Sequence, residues 1–184
     1  IGLVGIGAIG STVARILTHG YRAKVIAYDP YLDAQEISAR HATKVSFDEL
    51  LEQSCIISVH CPLTTETSRM FRAQQLEAMN DGIIIVNTCR GEIFNQDDLI
   101  VALESGKVGG YATDLDEREP IDADHILLAT RNVIVTPHLG GYSVVSLRGM
   151  GETMVEDMTR VFVEKKFPGV ITNPKVLASS IQVF

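Results

Sequence analysis

IGLVGIGAIGSTVARILTHG, residues 1–20, decides how this chain of 184 residues is read. Gly5, Gly7 and Gly10 have the G-x-G-x-x-G spacing, alone a weak signal because any glycine-rich turn after a strand can produce it. The flanks strengthen it. Ile1-Gly2-Leu3-Val4 reads as the end of a buried strand, and residues 11–19 read as a helix closed by Gly20. A second strand is predicted at 23–28, ending beside Asp29, which lies 19 positions beyond Gly10. That separation puts an acid where the ribose of a dinucleotide sits in a strand–turn–helix–strand unit. Gly5 then allows the tight turn, Gly7 lets backbone approach a pyrophosphate, and Gly10 lets the helix pack close to the strand. The helix aims its unpaired N–H groups and positive dipole end at the phosphates. Asp29 would accept hydrogen bonds from the adenosine ribose hydroxyls and repel a 2′-phosphate, which favours NAD over NADP.

The length suits one well-buried domain and is short for two. With 46% hydrophobic and 21% charged residues, the composition is that of a soluble globular protein. No apolar run reaches the length of a membrane span, and no charged-then-apolar leader precedes the first strand, so no membrane partner is expected. A net charge of −7 argues against nucleic acid, whose binding needs Lys and Arg to neutralise phosphates. Cys55, Cys61 and Cys89 are an odd number without C-x-x-C spacing, so neither a disulfide framework nor a metal site is expected, and a cytoplasmic location fits. Cys55 and Cys61 flank a strand and read as small buried hydrophobes.

Beyond Asp29, strands and helices alternate. A short helix at 34–39 leads to a strand at 43–45, and Ser46-Phe47-Asp48-Glu49 has the S-x-x-E form of a capping box. A strand at 55–60 runs out before Pro62, and a helical stretch is predicted at 65–78. Residues 82–87 read as a continuous apolar strand of the type buried on both faces. Asn95 caps a helix reaching Leu103, followed by strands at 108–113 and 132–135. From Ser143 to Lys166, Leu147, Met150, Met154, Met158 and Val161 recur at helical spacing, with Pro168 as the stop and the methionines read as core packing. The alternation implies an α/β chain folded as one domain around a Rossmann-type doubly wound parallel sheet, with ligand at the carboxyl ends of the strands.

Three of those strand ends carry reactive side chains. They are Asn87-Thr88-Cys89-Arg90-Gly91, the run from Asp114 through Asp116, Glu117 and Glu119 to Pro120, and Thr136-Pro137-His138-Leu139-Gly140-Gly141. An Arg, acids and a His are the set that reduction of a 2-keto acid requires. A guanidinium fork can hold the substrate carboxylate and polarise the neighbouring carbonyl. An imidazolium can deliver a proton to oxygen as hydride reaches carbon, and an adjacent carboxylate stabilises and orients it. Arg90 follows directly on a buried strand, which favours function over an incidental surface position. Either Glu117 or Glu119 can be the partner acid. His19, His41 and His125 read as helix-end or loop residues, and His60 reads either as a contact to the cofactor edge or as a structural histidine.

These segments resemble the D-isomer-specific 2-hydroxyacid dehydrogenases, which carry NTARG-like, DVFxxEP-like and TPH segments behind a glycine fingerprint. The resemblance runs from Gly2 to about Asn173 and includes His60-Cys61-Pro62-Leu63-Thr64 and MNDGIIIVNTCRG at 79–91. It implies an NAD-dependent oxidoreductase acting on a CH–OH group, in which Arg90 binds the substrate carboxylate, Glu119 is the partner acid and His138 the acid/base. Glu119 is preferred to Glu117 because Pro120 follows it, as in the family segment. The resemblance also brings Asp114 to the nicotinamide carboxamide and Ala8, Ile9, Thr88, Cys89, Gly140 and Gly141 to the cofactor. The candidate cofactor set is thus Gly5, Gly7, Ala8, Ile9, Gly10, Asp29, Pro62, Thr67, Thr88, Cys89, Arg90, Asp114, His138, Gly140 and Gly141. Asp116 stands where the family usually has an aromatic, and Asn80 where Lys is common. Glu119 speaks against the formate dehydrogenase branch, which has Gln there.

The partner implied is a small 2-hydroxy or 2-keto acid, and homodimerisation is the family habit. A rival reading is an NAD(H)-sensing interaction protein, like the co-repressors related to these dehydrogenases. In the resembled family the cofactor domain interrupts a second, substrate-closing domain. Residues 1–174 are expected to be the NAD-binding domain with its first strand truncated, and residues 175–184 the start of a return to an absent substrate domain. Without closure and water exclusion, the chain alone is expected to bind NAD but to turn over poorly or not at all.

Overall fold

The computed structural model describes residues 1–169 and 171, which fall into two units, Ile1–Leu139 and Gly140–Phe184. The first unit alternates β1 (Gly2–Val4), α1 (Ala8–Tyr21), β2 (Ile26–Tyr28), α2 (Ala34–Ser38), β3 (Thr43–Lys44), α3 (Phe47–Gln53), β4 (Ile56–Val59) and α4 (Ala73–Glu77). It continues with β5 (Ile83–Asn87), a 3-10 turn (Gly91–Ile93), α5 (Gln96–Glu104), β6 (Val108–Thr113), α6 (Ile126–Ala129) and β7 (Val133–Val135). All seven strands are parallel, in the order β3-β2-β1-β4-β5-β6-β7. This is the Rossmann-type doubly wound sheet, and its order reverses between β1 and β4. A crevice therefore opens beyond the carboxyl ends of those two strands.

Strand alternation sends successive side chains to opposite layers. Leu3 joins a cluster with Ile6, Ala14, Val25, Ala27 and Ile37, whereas Val4 joins a larger one with Leu50, Ile57, Val59, Ile85 and Leu99. Burying each Leu, Ile or Phe stabilises the fold by about 2 kcal/mol before entropy is counted. Aromatic rings run through the larger cluster, from Tyr28 to Phe47, Phe71, Phe94 and Tyr111, with centroids 4.5 to 5.6 Å apart and Phe71 stacked on Phe94.

Several elements differ from expectation. α1 starts at Ala8 and includes Gly20; Arg22, left-handed at φ 53°, is the residue that closes it. The helix expected at 65–78 is reduced to Ala73–Glu77. Thr64 N donates to Thr67 Oγ1 (2.7 Å), whose hydroxyl donates to Pro62 O (2.6 Å), so a side-chain turn takes the place of helical bonds. Phe71 then pairs with Phe94 as a lone parallel bridge. β5 buries Ile83, Ile85 and Asn87 but leaves Ile84 40% exposed, so only one face is fully covered. Cys55 is exposed, not buried, because β4 begins one residue later. α6 was not anticipated; its four residues are too few to show a period.

In the second unit α7 spans Val144–Phe162, with Ser143 as its cap and ending short of Lys166. Met150, Met154 and Met158 are exposed and are not core residues. Among the described residues of that unit α7 has no other helix or strand to pack against. The return segment expected at 175–184 lies outside the described residues. No helix among the described residues is long and apolar enough to cross a membrane.

Candidate cofactor and catalytic site

The turn between β1 and α1 has two glycines that the protein itself requires. Gly5 has φ +86°, and a Cβ on it would lie 2.9 Å from Cys61 N and the His60 carbonyl. A Cβ on Gly10 would lie 2.4 Å from Gly5 O. Gly7 is different: nothing stands within 4 Å of its Cβ position. It caps α1 without any side-chain hydrogen bond, so the first-turn N–H groups face an open approach. This opening fits a pyrophosphate, and it is the observation that fits the chain to a dinucleotide.

Asp29, at the end of β2, accepts from Ile6 N through Oδ2 and from Tyr31 N through Oδ1, both at 3.1 Å. These bonds hold the carboxylate at the rim of a cavity of about 230 Å³ that Gly5, Gly7, Asp29, Pro62 and Thr67 line together. Arg40, which no spacing in the sequence singled out, donates from Nη1 to Ile6 O at 2.7 Å and ties the end of α2 to the glycine turn. His60 also lines the cavity; its Nε2 is 2.9 Å from Ser58 Oγ, and its Nδ1 is buried with no hydrogen-bond partner. Burial lowers its pKa, which favours the neutral ring. Ala8 and Ile9 form the exposed start of α1.

Thr88 is exposed and Cys89 half-buried beside it. Cys89 N donates to Asn87 Oδ1 (3.0 Å) and its thiol to Val59 O (2.9 Å). Burial pushes the Cys61 thiol up to about 12 and the Cys89 thiol up to about 11. Both are protonated near neutral pH, and only the thiolate is nucleophilic. Iodoacetamide at pH 7.5 is therefore expected to modify the exposed Cys55 first, with Cys61 and Cys89 reacting only under strongly alkaline conditions or after unfolding. Peptide mass spectrometry against time reads the order.

Asn87, Thr113 and Val135 are in register across β5, β6 and β7, so the loops that follow leave the sheet side by side. Asn87 is buried and donates from Nδ2 to Arg90 O at 2.8 Å, holding the turn that exposes Arg90. Asp114 is buried and anchors the third loop: its Oδ1 accepts from Thr136 Oγ1 (2.5 Å) and Leu139 N (2.8 Å), and its carbonyl from His138 N (2.9 Å). His138 adopts φ 53°, a left-handed backbone uncommon outside glycine. Those anchors aim its ring at the preceding loop, where Nδ1 meets Glu119 Oε2 at 2.7 Å. With Nδ1–H donated to Glu119, Nε2 is the ring atom able to exchange a proton. Gly140 and Gly141 begin the second unit. Among the described residues no group of three His, Cys, Asp or Glu is placed to hold a metal ion.

A family model described as "D-isomer specific 2-hydroxyacid dehydrogenase, NAD binding domain" matches residues 1–140. The hydroxypyruvate reductase of Blautia hydrogenotrophica is 39% identical over 76% of this chain and 42% of its own length. A 2-hydroxyacid dehydrogenase homolog of Zymomonas mobilis is 34% identical over 93% of this chain and 56% of its own. The structure of D-lactate dehydrogenase with NAD+ from Lactobacillus jensenii superposes with TM-score 0.84 at 32% identity, over 94% of this chain and 55% of that one. Apo D-mandelate dehydrogenase of Rhodotorula graminis superposes with TM-score 0.85 at 32% identity, over 94% and 50%. The chain spans about half the length of the relatives it matches. It belongs to the D-isomer-specific 2-hydroxyacid dehydrogenase family, of which it is an NAD-binding domain.

Proposed function

We propose that residues 1–174 form the cofactor domain of an enzyme that interconverts a D-2-hydroxy acid and its 2-keto acid. The observation that carries the reading is the His138–Glu119 pair, 2.7 Å apart and bridging the loops after β7 and β6, the second of which lies beside the loop that bears Arg90. NAD(H), when bound, supplies or accepts the hydride. Arg90 holds the substrate carboxylate and polarises the carbonyl. His138 donates a proton from Nε2 as the alcohol forms and takes it back in the reverse direction, while Glu119 steadies the charged ring. Asp29 would accept hydrogen bonds from the ribose hydroxyls and would disfavour a 2′-phosphate. Asp114, with Thr88 and Cys89, would complete the cofactor surround within the first unit.

The relatives named above are dehydrogenases and a reductase, which supports an enzyme over the interaction-protein reading. We place the whole protein in the cytoplasm and expect a homodimer, as is the family habit. Titration of the chain with NADH, followed by nicotinamide fluorescence, is expected to give saturable binding weakened by Asp29→Ala. A folded chain that shows no saturation overturns the cofactor assignment. Reduction of 2-keto acids is then assayed in a polypeptide of the relatives' length that carries this chain.

A further inference from the structure

Arg90 and the Glu119–His138 pair sit on separate loops, and the proposed reaction needs them held to a fraction of an ångström. Beyond the bond from Asp114 N to Asn87 O where the strands end, two contacts tie the segment that begins at Arg90 to the loop of Glu119. One is backbone on backbone: a Cβ on Gly91 would come within 2.5 Å of Asp116 C and Glu117 N. The other is a side-chain bond, from Gln96 Nε2 to Asp116 Oδ1 at 2.7 Å. Gln96 opens α5 three residues beyond the 3-10 turn Gly91–Ile93, so this bond fastens the far end of the segment that begins at Arg90.

Asp116 is an unusual residue to find here. Its side chain is only 5% exposed, and a buried carboxylate is costly unless it is bonded. Its second oxygen faces His125 Nε2 at 3.8 Å, while His125 Nδ1 accepts from Leu127 N at 3.2 Å as the cap of α6. One carboxylate therefore gathers the start of α5, the cap of α6 and the loop that carries Glu119. Apolar packing at this position would fill the space without fixing a direction; the Gln96–Asp116 bond fixes one.

We propose that Gln96 and Asp116 are a positioning pair, whose hydrogen bond sets the placement of Arg90 relative to Glu119 and His138 and so the affinity for the substrate carboxylate. Neither residue touches substrate or cofactor in this account, which rests on the reading of Arg90 as the carboxylate-binding group. The test uses a polypeptide of the relatives' length that carries this chain. Gln96→Ala and Asp116→Ala are each expected to raise KM for the 2-keto acid about 30-fold or more, with a smaller fall in kcat and NADH affinity within about twofold. Asp116→Asn keeps an oxygen that can accept from Gln96, and is expected to bring KM back to within about threefold of the unmodified protein.

A folded Gln96→Ala protein with KM within about twofold of the unmodified one overturns the proposal. So does an Asp116→Asn protein as impaired as Asp116→Ala. Should Asp116→Ala fail to fold, Gln96→Ala decides alone, because Gln96 is only half-buried at a helix start. Arg90→Leu separates the role of Arg90 from that of the positioning pair. An unchanged KM there removes the role of Arg90 itself, whereas a large rise there with none in Gln96→Ala removes only the positioning pair.

Discussion

Replacing His138 with alanine is expected to lower kcat for 2-keto acid reduction by about 10³-fold, the usual scale for losing a placed acid/base group. The loss follows from geometry. His138 Nδ1 is committed to Glu119 Oε2, so the proton that reaches substrate oxygen must come from Nε2, and alanine offers no substitute. His138 also occupies a left-handed backbone, where alanine is strained by about 1 kcal/mol. His138→Asn is the better control, since Asn tolerates that conformation yet cannot act as an acid; it should be as inactive as the alanine protein and melt closer to the unmodified one. Glu119→Gln keeps an acceptor for Nδ1–H while removing the charge, and should cost less than either. Stopped-flow measurement of NADH oxidation with saturating keto acid reads the step. A His138→Asn protein that keeps more than about a tenth of kcat would end the assignment.

The second large effect is expected at the glycine turn, where two substitutions should part company. Gly10→Ala puts a methyl 2.4 Å from the carbonyl oxygen of Gly5, and backbone cannot yield as a flexible side chain can. The turn must open, with a stability loss of about 2 kcal/mol. NADH affinity should fall with it by about 100-fold, because a displacement of ångström scale at a binding turn costs about that much. Gly7→Ala meets nothing within 4 Å, so the melting temperature should not move, yet NADH binding should weaken at least about tenfold because the methyl fills the approach to the helix N-terminus. Calorimetric melting beside NADH titration of both variants gives the comparison. If Gly7→Ala bound NADH normally, the pyrophosphate would not lie over that turn.

Much of this architecture was legible in the order of strand and helix signals, since hydrophobic period and capping residues act locally. Ser46 and Glu49 form their capping box as read, and Asn95 caps α5. The helix expected at 65–78 was lost to a competition the sequence does not rank. Thr64 and Thr67 side chains bond the backbone locally, while Phe71 leaves the helix to pair with Phe94, distant in sequence. α1 begins three residues before the helix expected at 11–19, because Gly10 sits inside its first turn, where its missing Cβ admits Gly5 O. The candidate site divides along the same line. The spacing of Gly5, Gly7, Gly10 and Asp29 is a local record of its ligand, and the residues around Arg90, Glu119 and His138 stood at predictable strand ends. Arg40, Asn87 and the Gln96–Asp116 bond could not be foreseen, because each holds backbone or side chain from a segment remote in the chain and carries no periodic signal.

The row of rings from Tyr28 to Tyr111 has an optical consequence. The chain contains no tryptophan, so its ultraviolet emission comes from five tyrosines alone. Tyr28 stands at one end of that row and in the wall of the cavity beside Asp29. Tyrosine emission overlaps the absorption of reduced nicotinamide, so a bound dinucleotide would drain light from Tyr28 and return it at the longer wavelength of its own fluorescence. The fold thus carries intrinsic donors for energy transfer at the mouth of its cleft, Tyr28 and Tyr31, and Tyr28→Phe would remove one of them while leaving the packing of the ring row in place.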